Sequence, residues 1–434
     1  MQVIAPTAGR AGQVAVVLVR PSVSYTTGFW AVTASFATLM AFATVTAPLW
    51  SLYQQRDHFG AITVTVAFAA MVFGTAIGFT LLGQLSDRFG RRAGMMSGLL
   101  VGAAGAVIMA ASSDLPALLV GRVLTGIAVG IVASTATTYL GELHLRGDNA
   151  TAGSAFPGLV ATTANLGGLA LGPITGTVLA TWAPLPLHTS FIVLASLMIA
   201  LTTVVAFAPE TVDLATRTGR TPRRIAPPPG VRSAFTAAAA VGFFALALLG
   251  LFSSLSSVIV RAEFQATSVL LVGMVPFTAF GASAAAQIAL RRLAHIRLLM
   301  AGSMLFPMGL ALITVSLYRP NLGLLLIAAG VAGGGAGLLF KGAVTETLRL
   351  AQPASRASVL ASFFAIAYLG MGLPSIIFSL VVQHTALNQS MIGFASMLTA
   401  GAAAAVTAAT RTHRRVQVPA DHGQRPALEG PRNQ

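Results

Sequence analysis

Asp87 stands beside Arg88, Arg91 and Arg92 in the stretch Gly83-Gln84-Leu85-Ser86-Asp87-Arg88-Phe89-Gly90-Arg91-Arg92. A carboxylate among guanidinium groups can make charge-assisted hydrogen bonds, and Asp87 can also accept from the free N–H groups of a helix start. Gly83 and Gly90 let backbone come close or take positive dihedrals. Such groups can tie one helix end to another. The groups used for bond-making are scattered instead. Cys is absent, which excludes disulfides, thiolate metal sites and cysteine nucleophiles. His58, His144, His188, His295, His384, His413 and His422 are spread along the chain, so no metal cluster is expected. There is no His-Glu-x-x-His motif, no phosphate-binding lysine loop and no dinucleotide fingerprint after a strand. Gly333-Gly334-Gly335 lies in an apolar run, where dense glycine reads as close helix packing. These residues point away from an enzyme, and they require no cofactor.

The elements that must position these residues are apolar. The 434 residues are 55% hydrophobic and only 9% charged, where a water-soluble domain carries about 25% charged residues. Stretches that meet the roughly 20-residue crossing length are 28–51, 61–85, 93–112, 117–140, 151–178 and 187–208, then 233–259, 268–290, 297–317, 321–343, 357–382 and 390–410. The first is long and is followed by many more, so it reads as a true span and not as a cleaved signal peptide. The expected fold is an all-α membrane protein of twelve transmembrane helices in two pseudo-repeated six-helix bundles. A leader, 1–27, precedes the first bundle, 28–208. A linker, 209–232, with Arg217, Arg220, Arg223, Arg224 and Pro227-Pro228-Pro229, joins it to the second, 233–410. A polar tail, 411–434, follows. Gly281 through Arg291-Arg292, after span 8, takes the place of the Gly83–Arg92 stretch after span 2, without its aspartate.

The formal net charge is +15, and its distribution decides what it means. With an internal N-terminus the internal segments hold Arg10, Arg20, Arg88, Arg91, Arg92, Arg146, the linker arginines, Arg232, Arg291, Arg292, Arg297, Arg349, Arg356 and the tail arginines, while the outer loops keep only Arg56, Arg261 and Arg319. That is the positive-inside pattern. It predicts a multi-pass protein of the plasma (cytoplasmic) membrane, monomeric, with both termini in the cytoplasm and basic flanks against anionic headgroups. No basic groove with interleaved aromatics is present, so nucleic acid is not an expected partner.

Placed between spans 2 and 3, the residues Gly83, Leu85, Asp87, Arg88, Gly90, Arg91 and Arg92 resemble a signature loop of the major facilitator superfamily. The resemblance covers residues 28–410. It implies that the loop latches the two halves in one conformation, with Asp87 near the start of span 11 at about 354–358. Glu142, at the inner end of span 4, is either a partner of the arginines or a solvated acid. Gly121-Arg122-Val123-Leu124-Thr125-Gly126-Ile127-Ala128-Val129-Gly130 is similar to a second family motif, whose arginine is associated with proton transfer. Arg122 either faces a cavity or snorkels to the outer headgroups, while Gly126 and Gly130 serve helix packing. Gly168, Gly172, Pro173 and Gly176 in span 5 look like the motif of exporters in this superfamily, with Thr177 where a second glycine is usual. Pro209-Glu210-Thr211 resembles a family pattern that ends span 6, with a structural role.

Family architecture implies a cavity lined by spans 1, 4, 7 and 10. Its candidates are Phe36, Phe42 and Thr46, Ser134 and Thr138, Phe244, Phe252 and Ser256, and Lys341. Lys341 attracts an anion, pairs with Glu346 or snorkels. None of the eleven acidic residues falls in the middle of a span. Glu142, Glu263 and Glu346 are therefore peripheral candidates, with Arg122, for coupling to protons. The sequence reads as a secondary transporter of small organic solutes working by alternating access, an antiporter for proton-linked efflux of hydrophobic or cationic compounds. The alternatives are uptake or facilitated transport of a metabolite such as a sugar or organic anion, and a non-transporting receptor or scaffold.

Overall fold

The computed structural model describes residues 23–82, 85–147, 154, 156–212, 232–265, 268–351 and 356–417, without the side chains of Leu85, Asp87, Arg356, Ala357 and 413–417. Twelve helical crossings follow in order. Span 1 runs Tyr25–Thr44 and continues as Thr46–Asp57, span 2 is Ala61–Ile77 with a wider π turn over Gly78–Leu82, span 3 is Arg91–Ala111, and span 4 is Leu115–Arg146. Span 5 is Phe156–Thr162, a π turn at Thr163–Gly167, and Gly168–Trp182; span 6 is Pro186–Ala206. Spans 7 to 12 are Arg232–Phe264, Val269–Ala289, His295–Tyr318, Leu322–Leu350, Arg356–Val381 and Leu387–Gln417. Eleven of these are long and apolar enough to cross a membrane, and span 5, Phe156 to Trp182, completes the twelve.

Several edges differ from those expected. Span 5 begins at Phe156, not at 151, and Gly281 lies inside span 8, so the counterpart of the signature loop shrinks to the turn bearing Arg291 and Arg292. Span 12 runs to Gln417, past 410, because residues 411–417 hold no glycine or proline to stop the helix. Ser24 starts span 1 by accepting from Thr27 N at 3.1 Å, and Asn321 starts span 10 by accepting from Leu324 N at 3.0 Å.

The two halves repeat in packing more than in sequence. Span 4 packs on spans 1, 2 and 3, and span 10 packs on spans 7, 8 and 9. The halves meet where span 2 lies on span 11, span 5 on span 8, and span 1 on span 7. Small residues make these approaches possible. A Cβ on Gly126 would collide with Met71 O and one on Gly130 with Gly78, so span 4 lies directly on span 2. Gly168, Gly172 and Gly176, spaced by four, put one face of span 5 against the backbone of span 1 at Ala37, Ala41 and Val45. Pro173 supplies no N–H to Leu169 O, the carbonyl four residues earlier, and Thr44 Oγ1 donates to that carbonyl at 2.8 Å. Glycine and proline in span 5 are thus paired with one threonine of span 1.

Candidate functional site

The face bearing the Leu85–Phe89 helix, here the loop face, is built around Arg91 and two carboxylates. Gly90 takes φ +100° and places the start of span 3 against Glu210; a Cβ at Gly90 would overlap that carboxylate. Glu210 Oε1 accepts from Arg91 N at 2.8 Å, and Oε2 accepts from Arg92 N at 3.1 Å. A negative charge thereby satisfies the free donors of a helix N-terminus. Glu210 Oε1 also accepts from Thr211 N at 3.0 Å and Val212 N at 3.1 Å, which fixes the turn after span 6. The Arg91 guanidinium, 7% exposed, donates from Nη2 to Glu142 Oε1 at 3.1 Å and from Nη1 to Ser86 Oγ at 3.1 Å. Thr211 Oγ1 donates to Glu142, and Tyr139 OH donates to Pro209 O at 2.6 Å. Spans 3, 4 and 6 are tied together at one point. Glu142 is thus an arginine partner and not a solvated acid. Pro209-Glu210-Thr211 does more than end span 6, because Glu210 is the acid that caps span 3.

Arg88 is exposed on the short helix, which packs on spans 3 and 4 of its own bundle. Gly83, the Asp87 side chain and residues 352–355 lie outside the described residues, as does the expected contact of Asp87 with span 11. The equivalent corner of the second bundle repeats the design with other residues. His295, at the start of span 9, has Nε2 3.2 Å from Glu346 Oε2 at the end of span 10, and Arg349 Nη1 lies 3.0 Å from His295 Nδ1. Glu346 therefore pairs with His295, and the Lys341–Glu346 pair does not form. Lys341 Nζ donates to Gln287 O of span 8 at 2.5 Å instead.

Arg122 is the other charged centre. It is fully buried, so it does not snorkel to headgroups, although it is only the eighth residue of span 4. Span 4 lies so close to span 2 that the side chain is walled in. Nη1 donates to Ala43 O of span 1 at 3.1 Å and lies 3.5 Å from Met71 Sδ of span 2. Nε and Nη2 have no hydrogen-bond partner among the described residues. Glu263, the remaining coupling candidate, sits half-buried at the far end of span 7.

The cavity candidates divide. Phe36, Phe42 and Phe252 are fully buried in the continuous apolar core, Thr46 is buried, and Ser256 is buried with its hydroxyl unpartnered. Ser134 turns its hydroxyl back to Gly130 O at 2.8 Å, while Thr138 is exposed. Phe244 packs on span 12, filling the space over Gly401, and is not a cavity residue. The aromatics that join the halves were not among those singled out. Phe79 of span 2 stacks on Phe364 of span 11 at 5.3 Å and lies 5.7 Å from Tyr368. Aromatic residues are so common on apolar spans that only their position across the interface distinguishes these. Nearer the Arg56 face, Thr65 and Ser379 share a hydrogen bond of 2.8 Å, and Thr177 Oγ1 donates to Val269 O at 3.5 Å. Thr177, the departure from the exporter pattern, therefore bridges spans 5 and 8.

A family model for the Major Facilitator Superfamily matches residues 29–374. The chain belongs to this superfamily. Within it, the galactose-proton symporter of Escherichia coli K12 is 39% identical over 75 residues, 17% of this chain and 16% of that protein. The D-xylose transporter of Levilactobacillus brevis is 33% identical over 109 residues, 25% of this chain and 24% of that protein. The matches thus span about a quarter or less of these curated relatives. Among solved superfamily folds, a mutant of the nucleoside transporter NupG superposes with a TM-score of 0.66 at 14% identity, covering 88% of this chain and 99% of that one. The human organic anion transporter MFSD10 gives 0.64 at 19% identity, covering 89% and 99%. Both are whole-length likenesses of fold.

Proposed function

We propose that this protein is a secondary transporter that takes up a small organic metabolite across the plasma membrane by alternating access of its two bundles. The observation that carries the reading is the local identity to sugar transporters, including the proton-linked galactose carrier, inside a superfamily match that covers most of the chain. It favours uptake over the efflux suggested by the span 5 motif, whose glycines here serve contact with span 1 and whose final position is the bridging Thr177. The loop face is cytoplasmic in this reading, since the arginines gather there, and both termini lie on that side. Gly83, Asp87, Arg88, Gly90, Arg91, Arg92 and Glu142 form its gate, and the segment around 213–231 joins the bundles. Protons are the coupling ion in this reading, as in the galactose carrier.

Flux into proteoliposomes under an imposed pH gradient tests this. Labelled galactose, xylose and glucuronate should be screened beside a cationic dye. Inward accumulation of a metabolite that collapses with the gradient is the expected result. Extrusion of the dye alone would restore the efflux reading, and no movement of any solute would sink transport.

A further inference from the structure

We propose that Arg122 and Tyr53 form an anion-binding pocket inside the first bundle, made to hold the carboxylate of an organic acid. The inference rests on the transport reading above for how such a solute reaches the site.

A guanidinium about 10 Å along a membrane helix is costly to bury without a counter-charge. Arg122 is fully buried, and none of the described carboxylates bonds to it. Asp57, the acid of span 1, is taken by Arg56 at 2.7 Å. Hydrogen bonding within Arg122 is uneven in an informative way. Nη1 is occupied by Ala43 O at 3.1 Å, and this fixes the plane of the group. The unpartnered atoms are Nε and Nη2, which share one edge of the guanidinium. That edge is the two-pronged donor that matches the two oxygens of a carboxylate.

The surroundings add donors and no acid. Tyr53 lies on the same end of span 1 as Trp50, in ring contact with it at 5.8 Å, and its buried hydroxyl has no partner. Its ring is held by Phe59, stacked at 5.9 Å, by Trp50 at 5.8 Å and by the Arg56 guanidinium at 5.7 Å, so the hydroxyl is preset. Trp50 Nε1 is also buried and unpartnered. Ala43, Trp50 and Gln54 repeat at helical spacing along one face of span 1, and Arg122 meets that face at Ala43 O. Arg122 Nε and Nη2 and Trp50 Nε1 are donors, Tyr53 OH can donate or accept, and the unpartnered Gln54 Oε1 adds a neutral acceptor without a counter-charge. A buried site with several free donors and a fixed positive charge is complementary to an anion and poorly suited to a cation. Span 7 packs on this half of span 1, and Ser256 there keeps a buried free hydroxyl that can serve the rest of the solute.

The test uses the purified full-length protein in nanodiscs, with benzoate and glucuronate as probes and benzyl alcohol and glucose as their neutral counterparts. Binding is read by calorimetry and by quenching of tryptophan fluorescence. At least one carboxylate should bind saturably and tenfold or more tightly than its neutral counterpart. Tyr53→Phe, which keeps the ring contacts, should weaken that binding about tenfold through one lost bond to a charged group. Arg122→Gln should erase the discrimination, and Arg122→Lys, which keeps the charge but not the fork, should fall between. Equal binding of acid and neutral partner, no binding of either acid, or unchanged discrimination in Tyr53→Phe would overturn the pocket, and the Tyr53 variant decides even if Arg122→Gln does not fold. A neutral sugar transported without carboxylate binding leaves transport standing and removes the anion site. Arg122-dependent carboxylate binding with no flux does the reverse.

Discussion

Arg91 and Arg122 belong to the same bundle and are both shielded from solvent, yet their surroundings are opposite. Arg91 is 7% exposed and meets Glu142, Ser86 and, through its backbone, Glu210. Arg122 is 0% exposed and meets one carbonyl and one sulfur. An arginine whose charge is balanced within the chain stabilises a junction. One whose charge is left open, at a position where desolvation is expensive, is suited to an outside partner. The difference lies in the neighbours, not in the residue type.

Four changes would break or sharpen this contrast. The largest effect is expected from Gly126→Leu, which forces span 4 away from Met71 and removes the wall beside Arg122; it should cost about 3 kcal/mol or more by overpacking, read as loss of folded protein after extraction. Glu210→Gln comes next, because a neutral amide accepts less strongly from the four backbone N–H groups that the carboxylate now holds. It should lower stability by about 2 kcal/mol in thermal unfolding, without altering any preference for carboxylates. Met71→Glu gives Arg122 an internal counter-ion such as Arg91 already has. It should leave the protein folded and weaken carboxylate binding tenfold, about 1.4 kcal/mol, and undiminished binding would erase the distinction between the two arginines. The smallest effect is expected for Thr65→Val, which breaks the 2.8 Å bond to Ser379 between the halves. About 1 kcal/mol should be lost from the state closed at the Arg56 face, seen as greater labelling of cysteines placed there.

Much of the architecture was legible in the sequence. Crossing number, the small-residue contacts of Gly126, Gly130, Gly168, Gly172 and Gly176, and the charged loop are local properties, since length, hydropathy and residue size act over a few turns of one helix. The partner of Arg91 was legible as well, because Glu142 closes the adjoining span. Glu210 was underrated, because 119 residues separate it from Arg91 and only the return of span 6 to the loop face brings them together. His295 with Glu346 has the same spacing as Arg91 with Glu142 and was missed because no signature loop draws attention to the turn before span 9. The aromatic contacts of Phe79, Phe364 and Tyr368 carry no sequence signal that separates them from lipid-facing rings.

The sequence by itself determined a membrane-spanning, helical, two-bundle protein with its positive charge gathered in one set of connections, because each of those follows from hydropathy and from counting. Only the tertiary structure decided which charges are balanced. Arg122 could have reached water by snorkelling from its place in span 4. Close contact with spans 1 and 2 instead seals it in with Nε and Nη2 free. Whether a buried charge finds a partner is fixed by how helices far apart in the chain come together, and composition and spacing do not encode that one residue at a time.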